Sequence, residues 1–147
     1  MIKKWGFLFA LALLCQPIQV AAYDNQPKTI EITYDDAQEL MQIAWCEAGN
    51  QGIDGQRLIM SVVLNRVESE DFPDTIHEVI YQKGQFATKG MSKAKITNET
   101  HLALAEIEEG NVSPFIIAFE RKGSSSLDVY FDSAFDFKDH TFYTKKH

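Results

Sequence analysis

The sequence predicts an α+β domain, a helical half followed by a short antiparallel β-sheet. Three observations carry this expectation. From Ala37 to Ile107, apolar residues recur in runs with the 3.6-residue helical period. After Pro114 the composition switches to strand formers, in Phe115-Ile116-Ile117, Val129-Tyr130-Phe131 and His140-Thr141-Phe142-Tyr143. With 45% apolar and 12% aromatic residues, the chain carries enough material for a core that needs no covalent staple.

The first element is a processing segment. Lys3 and Lys4 supply a positive start, and Trp5 to Cys15 is an apolar run shorter than the roughly 20 residues of a membrane-spanning helix. Pro17 ends the run, and Val20-Ala21-Ala22 places small residues before a cleavage point. Residues 1–22 are therefore read as a signal peptide cleaved after Ala22, and the protein as secreted. An uncleaved anchor is the alternative, and lipid attachment at Cys15 is disfavoured by the bulky Leu14. Removing 22 of 147 residues leaves 125, one compact domain, expected to be a monomer. The leader takes two lysines and no acids, so the formal charge moves from −7 to −9. Such a chain repels phosphates, which argues against nucleic acid and anionic membrane surfaces as partners. Cys15 leaves with the leader, so Cys46 stands alone and no intrachain disulfide forms.

Residues 23–34 are polar, contain Pro27, and read as a short tether to a domain spanning 35–147. Asp35 or Asp36 is expected to cap the first helix, with Ala37, Leu40, Met41, Ala44, Trp45 and Ala48 on one face. Gly49 and Gly52 are expected to release the chain through positive φ. A second helix, from about Asp54 to Ser69, is apolar nearly all round and should be central. Asn65 and Arg66 within it are costly to bury without partners. Phe72-Pro73-Asp74-Thr75 turns the chain into a short helix, Ile76 to Tyr81. Ala87 to Lys95 reads as irregular, and a helix capped at Thr97 or Asn98 stops at Gly110. Lys122 to Ser126 is a Gly/Ser turn between strands.

Glu47 flanks the apolar face of the first helix at its end. A carboxylate there is partly desolvated, resists ionisation and holds a proton towards neutral pH, as the general acid of a glycosidase must. Cys46 offers a competing chemistry, a Cys/His amidopeptidase nucleophile. Its place near a helix C-terminus disfavours a thiolate, and core packing is the better account. His101, His147 and Cys46 show no ligand spacing, so no metal site and no cofactor is expected.

Four separated segments together resemble a known family. They are Glu47-Ala48-Gly49 after a helix; Val62-Val63-Leu64-Asn65-Arg66-Val67; Phe72-Pro73 through Val79-Ile80-Tyr81-Gln82-Lys83-Gly84-Gln85-Phe86; and the terminal His140-Thr141-Phe142-Tyr143. In order and spacing they resemble the cell wall hydrolases of the SleB type, the spore cortex-lytic enzymes and their phage and vegetative relatives, over about residues 36 to 143. The resemblance implies a lysozyme-like α+β fold, action on the glycan strands of peptidoglycan, and location outside the cell or in the bacterial wall. It places the catalytic acid on Glu47. It also implies lytic transglycosylase chemistry, in which one carboxylate serves as acid and then base at the bond between N-acetylmuramic acid and N-acetylglucosamine.

Gln85 and Phe86 are then expected to line the glycan groove, an amide for an N-acetyl group and an aromatic for a sugar face, with Tyr81 in the same role. Asn65 and Arg66 are read as structural, and His140 and Tyr143 as packing. No substrate-binding residue is assigned between Lys122 and Lys138. A hydrolytic muramidase is the alternative chemistry. It would need a second carboxylate about 5 to 10 Å from the first, drawn from Asp54, Glu68, Glu70, Asp71 or Glu120. A non-catalytic wall-binding module of the same fold is the remaining alternative, and the retained Glu47 argues against it. An acidic enzyme on an anionic wall is expected to gain activity as salt screens their repulsion.

Overall fold

The computed structural model describes residues 30–147; the segment expected to be a signal peptide, Cys15, and the expected tether up to residue 29 lie outside the described residues. The element order is α1 (Tyr34–Ala48), α2 (Gly52–Glu68), α3 (Ile76–Tyr81), a 3-10 helix (Thr88–Lys93), α4 (Asn98–Glu108), β1 (Ile116–Arg121), β2 (Phe131–Phe137) and β3 (His140–Lys145). The strands form one antiparallel sheet in the order β1-β3-β2. The expected α+β arrangement is thus observed.

The helix starts follow from capping chemistry. Thr33, not Asp35 or Asp36, caps α1: its hydroxyl accepts from the Asp36 N–H, and the Asp36 carboxylate accepts from the Thr33 N–H. Thr97 caps α4 in the same way, with Thr100 as the reciprocal partner. The second helix starts at Gly52, two residues before the expected Asp54, because Gly52 takes φ +73° and turns the chain directly into it. Gly49 departs from expectation. Its φ is −60°, and what requires glycine is space: a Cβ would lie 2.6 Å from the Trp45 carbonyl oxygen.

α2 is the central element. Ile59, Met60, Val62 and Val63 are fully buried, packed with Leu40 and Ile43 of α1, Val79 and Ile80 of α3, and Phe142 of β3. The stretch Ala87 to Lys95 is not irregular as expected. It forms the 3-10 helix, anchored by the buried Met91 and packed on α1.

Asn65 and Arg66 hold the sheet to α2. Asn65 Nδ2 donates to the carbonyls of Ser113 and Ile116, both at 2.8 Å, and Arg66 Nε donates to the Ile117 carbonyl at 2.6 Å. Successive carbonyls of a regular strand point to opposite sides. Here a bulge between Ile116 and Ala118 directs two in a row at α2. The open edge of β1 is thereby covered by side chains. The middle strand expectation shifts: β2 begins at Phe131, and Val129 and Tyr130 are exposed in a turn whose Tyr130 and Phe131 N–H groups both bond the Leu127 carbonyl.

Candidate active site

Glu47 is the penultimate residue of α1 and is partly buried. The Ala87 N–H donates to its Oε1 at 2.6 Å. Burial pushes the carboxyl above its ordinary range, and the Ala87 bond only partly opposes this. The negative end of the α1 dipole acts in the same direction as burial. Ala87 also lines a groove of about 500 Å³ with Trp45, Phe86, Thr88 and Lys89. The carboxyl therefore sits beside a cleft with two aromatic side chains in its wall.

One of the groove's aromatic residues packs on the sheet. Phe86 packs on Phe119 (ring centroids 5.9 Å apart), and Phe119 meets the edge of His140 at 5.1 Å. His140 Nδ1 lies 3.0 Å from the Nε2 of Gln51, the buried residue immediately before α2. Burial lowers the His140 pKa against the opposing pull of Asp139, so the neutral ring accepts from the Gln51 amide. The β2–β3 turn grips the same place: Lys138 Nζ donates to the Gln51 carbonyl at 2.6 Å, and Asn50 Nδ2 to Asp139 at 3.4 Å. Lys138 pays for this position with φ +46°, a conformation unfavourable to a side-chain-bearing residue. The turn immediately after Glu47 is thus clamped to the sheet.

The structure separates the sequence-derived candidates. Phe86 adjoins Ala87 and borders the groove. Gln85 is exposed beside it, and its Oε1 accepts from Arg66 at 3.1 Å, which leaves the amide NH₂ unengaged. Arg66 in turn lies over the rings of Phe72 and Phe86, at 4.8 and 5.1 Å. Tyr81 stands apart. It packs on His77, which bonds Glu39, eight residues and about 12 Å along α1 from Glu47. Gln51, Phe119 and the Ala87 N–H were not singled out from the sequence, and for His140 packing was favoured over reaching the cleft.

The candidate second carboxylates distribute unevenly. Glu68 ends α2, roughly 24 Å along the helix axis from its start beside Glu47, and Glu70 and Asp71 follow it. Asp71 is paired with Lys145. Glu120 points to the sheet face opposite Phe119, since side chains alternate along β1. Burial alone would raise its pKa. The hydroxyls of Ser126, Tyr143 and Ser124 and the Leu127 N–H instead bring it down to about 2. It is a clamp, ionised at neutral pH, for the Lys122–Tyr130 loop, with Tyr143 Oη at 2.6 Å. Asp54 alone lies at the Glu47 end of α2, exposed and bonded to Arg57.

Cys46 packs against the core under Gly90, and burial and the neighbouring Glu47 both push its thiol up, away from a nucleophilic thiolate. Among the described residues no group of three or more His, Cys, Asp or Glu side chains is placed to hold a metal ion. Larger grooves of about 590 and 550 Å³ lie around the C-terminal half of α2, by Val112 and by Phe115, away from Glu47. Volume therefore does not select the site; the convergence of the raised carboxyl, its N–H partner and the aromatic walls does.

Two solved structures share this fold. The catalytic domain of the germination-specific lytic transglycosylase SleB from Bacillus anthracis matches with a TM-score of 0.64 and 20% identity, over 80% of this chain and 99% of that one. The catalytic domain of the Bacillus cereus SleB protein matches with a TM-score of 0.68 and 20% identity, over 84% and 99%. No curated protein matches the chain. The family model described as Cell Wall Hydrolase matches residues 50–143, which begins just after Glu47 and takes in Gln51, the Asn65-Arg66 pair, Phe86, Phe119 and His140. The chain belongs to the cell wall hydrolase family.

Proposed function

We propose that this domain cleaves the glycan strands of peptidoglycan as a lytic transglycosylase, with Glu47 as acid and then base. The observation that carries the reading is a carboxyl raised by burial and held by the Ala87 N–H beside an aromatic-walled groove. Ala87 fixes Oε1 and leaves Oε2 to carry the proton. Glu47 delivers that proton to the oxygen bridging N-acetylmuramic acid and N-acetylglucosamine as the bond from C1 breaks. The resulting carboxylate accepts the proton of the muramic acid C6 hydroxyl, whose oxygen bonds C1. The product is a 1,6-anhydro sugar, no water is consumed, and Glu47 returns to its protonated state.

Phe86 offers a ring to a sugar face, and the free Gln85 NH₂ offers a donor to an N-acetyl carbonyl. Tyr81 would meet only a more distant part of the strand. One carboxylate suffices for this chemistry, and the disposition of Glu68, Glu70, Asp71 and Glu120 away from Glu47 favours it over hydrolysis. The similarity to a fold that serves a lytic transglycosylase supports it as well. With the leader read from residues 1–22, the protein acts outside the cytoplasm, on the wall.

Mass spectrometry of purified peptidoglycan digested by the protein tests this. Fragments ending in 1,6-anhydro-muramic acid are expected. Reducing-end fragments, heavier by one water, would replace the proposal with hydrolysis and direct attention to Asp54. Released peptides on intact glycan would transfer the chemistry to Cys46.

A further inference from the structure

The segment Gln82–Asn98 contains Lys83, Lys89, Lys93 and Lys95 and no acidic residue, within a chain of formal charge −7. This +4 stretch includes the wall of the groove beside Glu47: Lys89 lines it, and Lys93 follows in the same 3-10 helix, about 8 Å further along the axis. Among the described residues most other lysine and arginine side chains are engaged. Arg57 pairs with Asp54 and Glu106, Lys122 with Asp136, Lys145 with Asp71, and Lys138 and Lys146 bond main-chain carbonyls. Among the described residues, the four lysines of this segment have no carboxylate within 4.0 Å and are exposed. Arg121 is likewise outside any ion pair, and it ends β1 directly across from His140.

An acidic protein that leaves a run of cations outside any ion pair beside one groove is arranged to meet anions there. At physiological ionic strength, charges beyond about 8 Å are screened, so a bound strand experiences the local lysines more than the overall negative charge. On a glycan strand, regularly recurring anions are the carboxylates of the stem peptides carried on N-acetylmuramic acid.

We propose that Lys89 and Lys93 engage stem-peptide carboxylates, so that the preferred substrate is the peptide-bearing strand rather than one whose muramic acid carries no carboxylate. This rests on the glycan-cleaving reading of the same groove. Engagement also reverses the expected salt effect at the site: strand binding weakens, rather than strengthens, as salt rises.

The test measures binding, so that it is independent of cleavage. Glu47→Gln protein is titrated with soluble peptide-bearing strands, and with the same strands after their carboxylates are converted to neutral amides. The untreated strands are expected to bind about tenfold more tightly, two exposed ion pairs at up to about fivefold each. Adding Lys89→Gln and Lys93→Gln should bring the ratio close to one, and the two Lys→Arg replacements should retain it. A ratio near one with both lysines present, or a ratio unchanged by their removal, overturns the proposal. So does a preference that vanishes when attached phosphodiester polymers are stripped with the stem carboxylates intact, because the anion would then be phosphate. Wild-type cleavage is assayed in parallel, and its absence would overturn the transglycosylase reading while the lysine ratio is still read from binding.

Discussion

Replacing Arg66 with methionine keeps the apolar stem and removes the guanidinium that ties α2 to β1 and to the Gln85–Phe86 segment. The Ile117 carbonyl, bonded at 2.6 Å in a buried position, loses its donor, at a cost of about 1–3 kcal/mol. The contacts over Phe72 and Phe86 contribute about 0.5–1 kcal/mol each. The half-exposed bond to Gln85 adds less. The sum is about 3 kcal/mol, which for a domain of this size lowers Tm by roughly 10–15 °C. Burial pulls the Arg66 pKa down to about 10, so the group is still charged at neutral pH and the contacts are those of a cation. Urea and thermal unfolding followed by circular dichroism measure the loss. Arg66→Lys should fall between, because one ammonium cannot serve the Ile117 and Gln85 oxygens in the guanidinium geometry. A loss below about 1 kcal/mol for Arg66→Met would refute the claim that this residue holds the sheet and the Gln85–Ala87 wall in place.

Glu47→Gln should leave the protein at least as stable as wild type at pH 7. A carboxyl whose pKa is raised on folding contributes its stability fully below the unfolded value of about 4.5, and that contribution is lost as pH rises through the folded value. Melting curves at pH 4 and pH 7 should therefore show the variant gaining on wild type as pH rises, and a variant that loses ground would contradict the raised carboxyl. Glu120→Gln should destabilise by about 1–2 kcal/mol at pH 7, from weaker bonds to Tyr143, Ser126 and Leu127. Because the folded pKa is depressed to about 2, that contribution is present above about 4.5 and disappears as pH falls towards 2, which a pH series of denaturant midpoints would reveal. Cys46→Ala should retain wall-clearing activity within about twofold and lose about 1 kcal/mol of stability from its packed thiol; loss of clearing by a folded variant would revive the amidopeptidase chemistry.

The helices were legible because their signals are local. Periodic apolar residues and short polar caps placed α1 to α4 to within a few residues, although Thr33 outcompeted the aspartates by pairing with one of them. The strands were harder to delimit. Val129 and Tyr130 have strand-forming side chains, but the Leu127 carbonyl draws their segment into a turn and the ladder starts at Phe131. The 3-10 helix was missed because a single apolar residue, Met91, anchors it and leaves no periodicity to detect. Within the candidate site, the helix-end position of Glu47 and the nearness of Phe86 follow from local signals and were expected. Gln51, Phe119 and His140 were not, because their meeting depends on the β2–β3 turn folding back on the α1–α2 turn across almost 90 residues. Nor could the sequence rank the candidate second carboxylates: Glu120 is engaged in holding a loop.

The central claim is that one carboxyl, Glu47, supplies both proton transfers. Its most direct test compares wild type and Glu47→Gln for release of 1,6-anhydro-muropeptides, with folding of both verified by circular dichroism. The account expects the anhydro product from wild type and a loss of at least about a thousandfold in the variant, since removing a general acid–base group costs about 10²–10⁴ and here one group serves twice. A folded Glu47→Gln protein that releases anhydro product within tenfold of wild type would contradict it.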